Sequence, residues 1–305
     1  MYAIQTTRPS GKFWRKLRLT LEMIKFEHSV FALPFALVAS LLAVSHERLG
    51  TAAIAGKLFW IIVAMVGARS AAMTFNRIVD AGIDARNPRT RLRQLPTGAL
   101  TPRFAWGFLL AAVGVFLLAA AMLNPLCLKL APVALAIVLL YSFTKRFTSL
   151  SHLVLGFALG IAPAAAWIAV TGSLDTRIVW LSTAVTLWTA GFDIIYACQD
   201  YEFDGQEGLF SVPRRVGIAG ALQVSRLLHA AMIACLVMLH ERFAIGWTGW
   251  AGIAVVTGLL VYEHTLVRAN DLSRVNAAFF TVNGWVGVLF SLFWATDLWW
   301  SGRLG

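Results

Sequence analysis

The chain has 305 residues, of which 59% are hydrophobic and only 13% are charged, and its mean hydropathy is +0.72. This apolar share lies far above that of soluble domains and excludes an ordinary soluble fold. The formal charge of +11 would suit nucleic acid, but the basic residues are spread over short loops between apolar runs. This pattern excludes a nucleic-acid-binding module and favours anionic lipid headgroups or a phosphorylated ligand as partners.

The N-terminal segment, residues 1–25, mixes Lys and Arg with apolar residues such as Phe13, Trp14 and Leu17. We expect it to form a short amphipathic helix on the cytoplasmic membrane surface. No soluble domain or linker follows. Residues 1–305 are therefore predicted to form a single polytopic membrane domain.

Apolar runs long enough to cross a hydrocarbon core of about 30 Å recur along the chain. Nine spans are predicted, with eight or ten as alternatives because the fourth and eighth runs could merge with or split from their neighbours. The spans are residues 27–45, 54–79, 104–123, 126–144, 153–170, 177–199, 221–240, 244–263 and 276–298. The predicted fold class is an all-α membrane protein, a bundle of about nine transmembrane helices.

Lys and Arg are concentrated in the N-terminal segment and in alternate loops, within residues 77–103, 145–146, 214–226 and 268–274. By the positive-inside rule these loops face the cytoplasm.

A first polar cluster lies at the cytoplasmic end of the second span, in FNRIVDAGIDARNPRT. Asn76, Asp80 and Asp84 are four residues apart, so a helix places them on nearly one face. Arg69 lies two turns deeper. Because an arginine inside a span is costly, we expect it to point into the bundle rather than at lipid.

A second cluster lies at the end of the sixth span, in GFDIIYACQDYEFDG, and contains Asp193, Asp200 and Asp204. If the two helices face each other, their carboxylates converge on one volume. Oxygen ligands without His or Cys suit Mg²⁺, either as one bridging ion or as two ions.

Basic residues surround the same predicted volume. They are Arg77, Arg86, Arg89, Arg91, Arg93, Lys145, Arg214 and Arg215. Carboxylates that hold Mg²⁺ beside Arg and Lys side chains form the arrangement that a diphosphate requires. The membrane setting indicates that this diphosphate carries a lipid chain.

Over nearly its whole length the chain resembles the UbiA superfamily of intramembrane aromatic prenyltransferases. Asn76, Asp80 and Asp84 match the N-x-x-x-D-x-x-x-D motif of that family, although Arg77 stands where many members have aspartate. Asp200 and Asp204 in YACQDYEFDG match its D-x-x-x-D motif. Further matches are Tyr141 and Lys145 in YSFTKRFT, His28 in KFEHSVFALPFAL and Arg93 in RQLPTG.

The resemblance implies helices around a central cavity that opens toward the cytoplasmic rim, and Mg²⁺-dependent transfer of a polyprenyl group from its diphosphate to an aromatic ring. The implied catalytic residues are Asn76, Asp80, Asp84, Lys145, Asp200 and Asp204, and all of these except Lys145 are implied metal ligands. The implied substrate-binding residues are His28, Arg69, Arg77, Arg93, Tyr141, Asp193 and Tyr196. Aromatic candidates for stabilising the allylic cation are Phe75, Tyr141, Phe192 and Tyr196.

Within the family, NRIVDAGIDARNPRT followed by RQLP is most similar to the 4-hydroxybenzoate polyprenyltransferase branch. This branch includes members that prenylate 1,4-dihydroxy-6-naphthoate on the futalosine route to menaquinone. Both acceptors carry a carboxylate, for which Arg69 is the expected partner. The expected role is ubiquinone or menaquinone biosynthesis in a bacterial inner membrane, with the active site facing the cytoplasm.

Three alternatives remain open at the level of sequence. The first is a lipid-tail transferase with another acceptor, such as a phospholipid, haem or chlorophyll precursor. The second is an ion-coupled carrier that uses intramembrane carboxylates, although the carboxylates cluster at one rim and no inverted repeat is evident. The third is an inactive lipid-binding scaffold.

Overall fold

The computed structural model describes residues 12–24, 31–47 and 51–303. In this part of the chain the regular elements are helices, apart from an isolated β-bridge between Arg268 and Asp271. The helices are α1 (Lys12–Ile24), α2 (Leu33–Glu47), α3 (Thr51–Arg86), α4 (Pro102–Leu123), α5 (Pro125–Thr144), α6 (Ser151–Thr171), α7 (Val179–Ala197), α8 (Tyr201–Gln206), α9 (Val212–Phe243), α10 (Trp247–Leu266) and α11 (Asn283–Trp300).

The expectation of an all-α membrane protein is confirmed. Within the described residues, seven helical segments are long and apolar enough to cross a membrane: Ala53–Arg86, Pro102–Leu123, Pro125–Thr144, Ser151–Thr171, Thr176–Gln206, Val212–Phe243 and Ala277–Trp300. Helix α2 is apolar but shorter. At 15 residues it spans only about 22 Å. Helix α10 carries Glu263 and His264 near its end, which lowers its hydropathy. The predicted count of nine spans is therefore not confirmed.

The N-terminal amphipathic segment is helical over α1, and the rest of residues 1–25 lies outside the described part of the chain. Met23 and Ile24 of α1 pack against Leu100. Trp14, Arg15, Lys16, Arg18 and Glu22 are exposed.

The largest buried cluster lies between α2, α6, α7, α9, α10 and α11, and includes Phe35, Trp188, Phe290 and Trp294. In lipid, helices associate through close packing rather than through exclusion of water. Helices α6 and α7 show this clearly. A methyl group on Gly156 or Gly160 would clash with Thr186 of α7, so only glycine permits the observed approach.

The ends of three helices near the acidic clusters are held together by loop hydrogen bonds. The backbone N–H of Phe210, before α9, donates to the carbonyl of Lys145, after α5, at 2.8 Å. Ser211 then caps α9 by accepting from the N–H of Arg214. Helix α7 continues through a 3₁₀ turn at Cys198–Asp200 into α8. These connections surround the end of α3, where the first acidic cluster lies.

Candidate active site

The first acidic cluster forms the predicted stripe along α3. The amide Nδ2 of Asn76 donates to Asp80 Oδ2 at 2.8 Å, one turn further along the helix. Asp84 follows after another turn and is only 5% exposed. Because four-residue spacing is a local property of an α-helix, the stripe follows directly from the sequence.

The second cluster departs from one regular helix. Asp193 lies on α7, Asp200 in the 3₁₀ turn and Asp204 on α8. The 3₁₀ turn has about three residues per turn instead of 3.6, so it rotates Asp200 away from the face that an uninterrupted α-helix would give it. Asp200 and Asp204 are both buried.

The segment after α3 connects the two clusters. Arg89 donates to both carboxylate oxygens of Asp200, from Nε at 3.0 Å and from Nη2 at 2.6 Å. Asn87 Nδ2 donates to the same carboxylate at 3.2 Å. Closer to the surface, Arg86 forms a bidentate pair with Glu207. The two acidic clusters therefore lie on facing sides of one volume.

Each of the four motif aspartates is paired with a basic side chain. Asp84 accepts a hydrogen bond from Arg93 at 2.6 Å, and Asp80 accepts one from Arg146 at 3.0 Å. Asp204 Oδ1 forms an ion pair with Lys145 Nζ at 2.7 Å, and the pair of Asp200 with Arg89 completes the set. Among the described residues no three Asp, Glu, His or Cys side chains converge as a metal site does. The cationic and anionic groups of the site instead neutralise each other.

Two groups at the rim have displaced pKa values. Burial alone would lower the pKa of Arg89, but its hydrogen bonds and charge interaction with Asp200 outweigh burial and raise it. The hydrogen bond from Arg86 lowers the pKa of the half-buried Glu207 carboxyl. Arg89 is therefore a permanent cation at any physiological pH.

An apolar cavity of about 230 Å³ runs between α3, α4, α5 and α6, next to this site. On α6 its lining extends from Leu155 to Ala169, roughly 21 Å along the helix. Most of the lining residues are Ala, Leu, Ile, Met or Val. Arg69 and Tyr141 also line it. Tyr141 lies within electrostatic range of Arg69, Arg77, Asp80 and Asp193, so it stands where the apolar cavity meets the charged volume.

Aromatic rings line the α7 side of the site. Tyr196 accepts a hydrogen bond from Arg89 Nη1 at 3.0 Å, and the guanidinium lies 5.2 Å from its ring centroid. Phe279 packs on Tyr196 at 4.2 Å and on Phe192 at 5.2 Å between centroids. Phe75 is not part of this group, because it packs against rings of α4 and α5.

The other predicted residues have varied surroundings. Arg77 is buried beside Asn76, to which it donates at 3.3 Å. Arg214 stacks on the ring of Tyr201. Arg215 reaches Ser149. Arg91 is exposed and forms no ion pair with a carboxylate in the described part of the chain. His28 lies outside that part.

Asn87, Arg146 and His152 belong to the site although the motifs did not single them out. Asn87 lies three residues after Asp84, and Arg146 lies directly after Lys145. This closeness to motif residues in the chain was the sequence feature that could have indicated their place in the site. His152 contacts Asp193, 41 residues away, through Nδ1 and Oδ2 at 2.7 Å. No local pattern indicates that contact.

Comparisons with known proteins identify the family of the chain. The model of the UbiA prenyltransferase family matches residues 32–296. A protein named 4-hydroxybenzoate octaprenyltransferase, from Saccharophagus degradans, is 34% identical over 231 residues, which cover 76% of this chain and 77% of the relative.

Solved structures show the same fold. The apo structure of a UbiA homologue from Aeropyrum pernix K1 is 34% identical, with a TM-score of 0.80 over 89% of this chain and 98% of that one. A UbiA homologue from Archaeoglobus fulgidus, solved with GPP and Mg²⁺, is 19% identical. Its TM-score is 0.70 over 92% of this chain and 99% of that one, which is a likeness of fold.

Proposed function

The chain belongs to the UbiA prenyltransferase family and is a membrane-embedded prenyltransferase, and from this premise we propose a specific reaction. The protein transfers a polyprenyl group from a polyprenyl diphosphate to a hydroxylated aromatic carboxylate, in a Mg²⁺-dependent step of quinone biosynthesis. One observation carries the proposal: two facing acidic clusters, each paired with basic side chains, adjoin an apolar cavity that contains an arginine.

The basic side chains of the site suit a diphosphate. Arg89 and Arg93, from the segment after α3, and Lys145 and Arg146, from the segment after α5, reach the motif aspartates. Arg and Lys bind phosphate oxygens by charge-assisted hydrogen bonds, and donors fixed before the reaction stabilise charge as it develops on a leaving group. We propose that these four residues bind the diphosphate and stabilise its departure.

The acidic residues suit Mg²⁺ by their chemistry. Asn76, Asp80, Asp84, Asp200 and Asp204 offer only oxygen donors, which a hard cation prefers, and would share it with phosphate oxygens and water. Bound there, Mg²⁺ would neutralise negative charge on the diphosphate. The same carboxylates also hold the basic residues in place, so the acidic clusters orient the diphosphate-binding side chains.

The cavity suits the reactive end of a prenyl chain. Its volume of about 230 Å³ exceeds the roughly 150 Å³ of an engineered cavity that binds benzene. It therefore encloses the first isoprene units but not a long polyprenyl chain, whose remainder would extend into lipid. Apolar walls exclude water, which protects an allylic cation from hydrolysis, and Phe192 and Tyr196 are the ring faces proposed to stabilise it.

The acceptor proposed is 4-hydroxybenzoate, with 1,4-dihydroxy-6-naphthoate as the second candidate. The names of the curated relatives favour the first. Arg69, within the cavity lining, is the proposed partner of the acceptor carboxylate. The proposed location is a bacterial inner membrane with the site facing the cytoplasm, as the distribution of Lys and Arg in the loops favours.

An assay in isolated membranes tests the reaction. It supplies geranyl diphosphate, Mg²⁺ or EDTA, and either acceptor, and detects prenylated product by mass. We expect product with one acceptor, none with EDTA, and a loss of at least about 100-fold in Asp80→Ala and in Asp200→Ala. Asp175→Ala is the matched control, because Asp175 pairs with Arg177 away from the site. Full activity in EDTA, or equal activity of all three variants, would refute the proposal.

A further inference from the structure

His152 and Asp193 form a pair that differs from the other contacts of the site. The side chain of His152 is 4% exposed and that of Asp193 is 22% exposed. The buried member is thus the histidine, and the carboxylate is the member that a substrate can reach. Among the described residues, Asp193 is also the one aspartate of the two acidic clusters without a Lys or Arg within ion-pair distance.

The hydrogen bonds of His152 define its tautomer. The backbone N–H of Val212, in the first turn of α9, donates to His152 Nε2 at 3.3 Å, so Nε2 is an acceptor. Nδ1 therefore carries the proton and donates it to Asp193 Oδ2 at 2.7 Å. One imidazole thus joins α6, α7 and α9, and it fixes the orientation of the Asp193 carboxylate.

Asp193 is placed between the two halves of the site. It lies on α7, one turn before Tyr196 and two turns before Asp200. It is also within electrostatic range of Tyr141, which lines the polar end of the cavity. With Oδ2 held by His152, Oδ1 has no hydrogen-bond partner among the described side chains and can accept one from a neutral donor.

An acceptor of this kind can assist the reaction. When the aromatic ring attacks the allylic carbon, the C–O bond to diphosphate breaks, its electron pair leaves with the diphosphate, and a ring C–C bond forms. The ring becomes more nucleophilic as its hydroxyl loses a proton. We infer that Asp193, oriented by His152, is the base that accepts the proton of the acceptor hydroxyl, and that His152 is its positioning residue. This inference rests on the proposed function.

The protons balance over the whole step. Asp193 takes the hydroxyl proton as the C–C bond forms, which leaves a ring ketone with one hydrogen on the attacked carbon. That hydrogen leaves as a proton to the departing diphosphate, and Asp193 returns its own proton to the oxygen. The phenol is restored, and one proton is released with diphosphate for each turnover.

The test compares two acceptors in Asp193→Asn, His152→Ala and His152→Asn. The first acceptor is 4-hydroxybenzoate. The second is 3-fluoro-4-hydroxybenzoate, which keeps one free carbon beside its hydroxyl, and whose fluorine makes that hydroxyl more acidic. The assay pH is set where the fluorinated phenol is ionised and the parent phenol is not. A base is then required for the first acceptor and not for the second.

With 4-hydroxybenzoate we expect kcat to fall by at least about 100-fold in Asp193→Asn and by roughly tenfold in His152→Ala. The KM for geranyl diphosphate should stay within twofold. Asn at position 152 can place an N–H near the position of Nδ1, so His152→Asn should recover most of the activity. With the fluorinated acceptor, both deficits relative to the wild-type protein should largely disappear.

His240→Asn is the control for loss of a buried histidine, since His240 bonds the carbonyl of Gly246 in another part of the bundle. It should show the same small change with both acceptors. Equal losses of Asp193→Asn with both acceptors, or a loss confined to the KM for geranyl diphosphate, would overturn the inference. Absence of product from the wild-type protein with both acceptors would instead refute the proposed function.

Discussion

Replacing Arg89 tests whether the segment after α3 joins the two acidic clusters for diphosphate binding. Arg89 makes two hydrogen bonds to Asp200 and one to Tyr196. Its side chain is 32% exposed and that of Asp200 is 10% exposed, so the pair is only partly screened by water. Arg89→Ala removes a permanent cation at the site and leaves the Asp200 carboxylate with the Asn87 amide as its remaining hydrogen-bond partner.

The expected magnitude follows from the contacts. A hydrogen bond to a charged group contributes about 1.5–3 kcal/mol. If Arg89 transfers one such bond to a phosphate oxygen in the transition state, its loss lowers kcat/KM for the diphosphate by roughly 10- to 100-fold. Arg89→Lys keeps the charge but loses the two-pronged geometry, so we expect it to lie between Arg89→Ala and the wild-type protein.

The assay measures kcat/KM for geranyl diphosphate at saturating acceptor, with thermal unfolding in detergent to confirm that each variant is folded. Arg91→Ala is the matched control, because Arg91 lies two residues away, is exposed and forms no ion pair within the described chain. We expect it to change kcat/KM by less than about threefold, as surface substitutions usually do. Equal values for Arg89→Ala and Arg91→Ala would refute the reasoning.

Three further substitutions test other parts of the structure. Arg69→Ala should raise the KM for the acceptor by at least about tenfold while leaving the KM for geranyl diphosphate unchanged, since Arg69 lines the cavity; an unchanged acceptor KM would contradict its assignment. Lys145→Met should lower the free energy of unfolding by about 2–4 kcal/mol, because it leaves the fully buried Asp204 without its cation. This value lies between the stabilisation by an exposed ion pair and the cost of breaking a buried one. The double variant with Asp204→Asn should recover most of that loss in a detergent unfolding assay, and an additive loss would show that the pair is not coupled. Asn283→Ala should cost about 1 kcal/mol of unfolding free energy, since Asn283 bonds Trp188 of α7 and Glu263 of α10 in the buried bundle, and interhelical bonds in membranes average about 0.6 kcal/mol each. Asn276→Ala is its control, because Asn276 is exposed and precedes the π-helical segment Ala277–Val282 that leads into α11. Equal unfolding temperatures for the two variants would contradict the role of Asn283.

The fold class and the first acidic cluster could be predicted because both depend on local sequence. Length and hydropathy determine whether a helix can cross a membrane, and four-residue spacing determines that Asn76, Asp80 and Asp84 share a face. The number of spans could not be predicted in the same way. The length of α2, and the effect of Glu263 and His264 on α10, separate those two helices from the seven clear spans.

The second cluster shows where local spacing fails. Asp193 and Asp200 are seven residues apart, which predicts one face of an α-helix. The 3₁₀ turn at Cys198–Asp200 changes that geometry, and the carboxylate of Asp200 is positioned by Asn87 and Arg89 instead. A local rule cannot include partners that come from another helix.

The sequence by itself determined which residue types the site contains: oxygen donors at helical spacing, Arg and Lys concentrated in alternate loops, and an arginine within an apolar span. Only the tertiary structure decided how they pair. Arg89 meets Asp200 across 111 residues of chain, and His152 meets Asp193 across 41. The physical reason is that periodicity constrains neighbours within a few turns of one helix, whereas contacts between helices depend on how every span packs, including the close approach of α6 and α7 at Gly156 and Gly160.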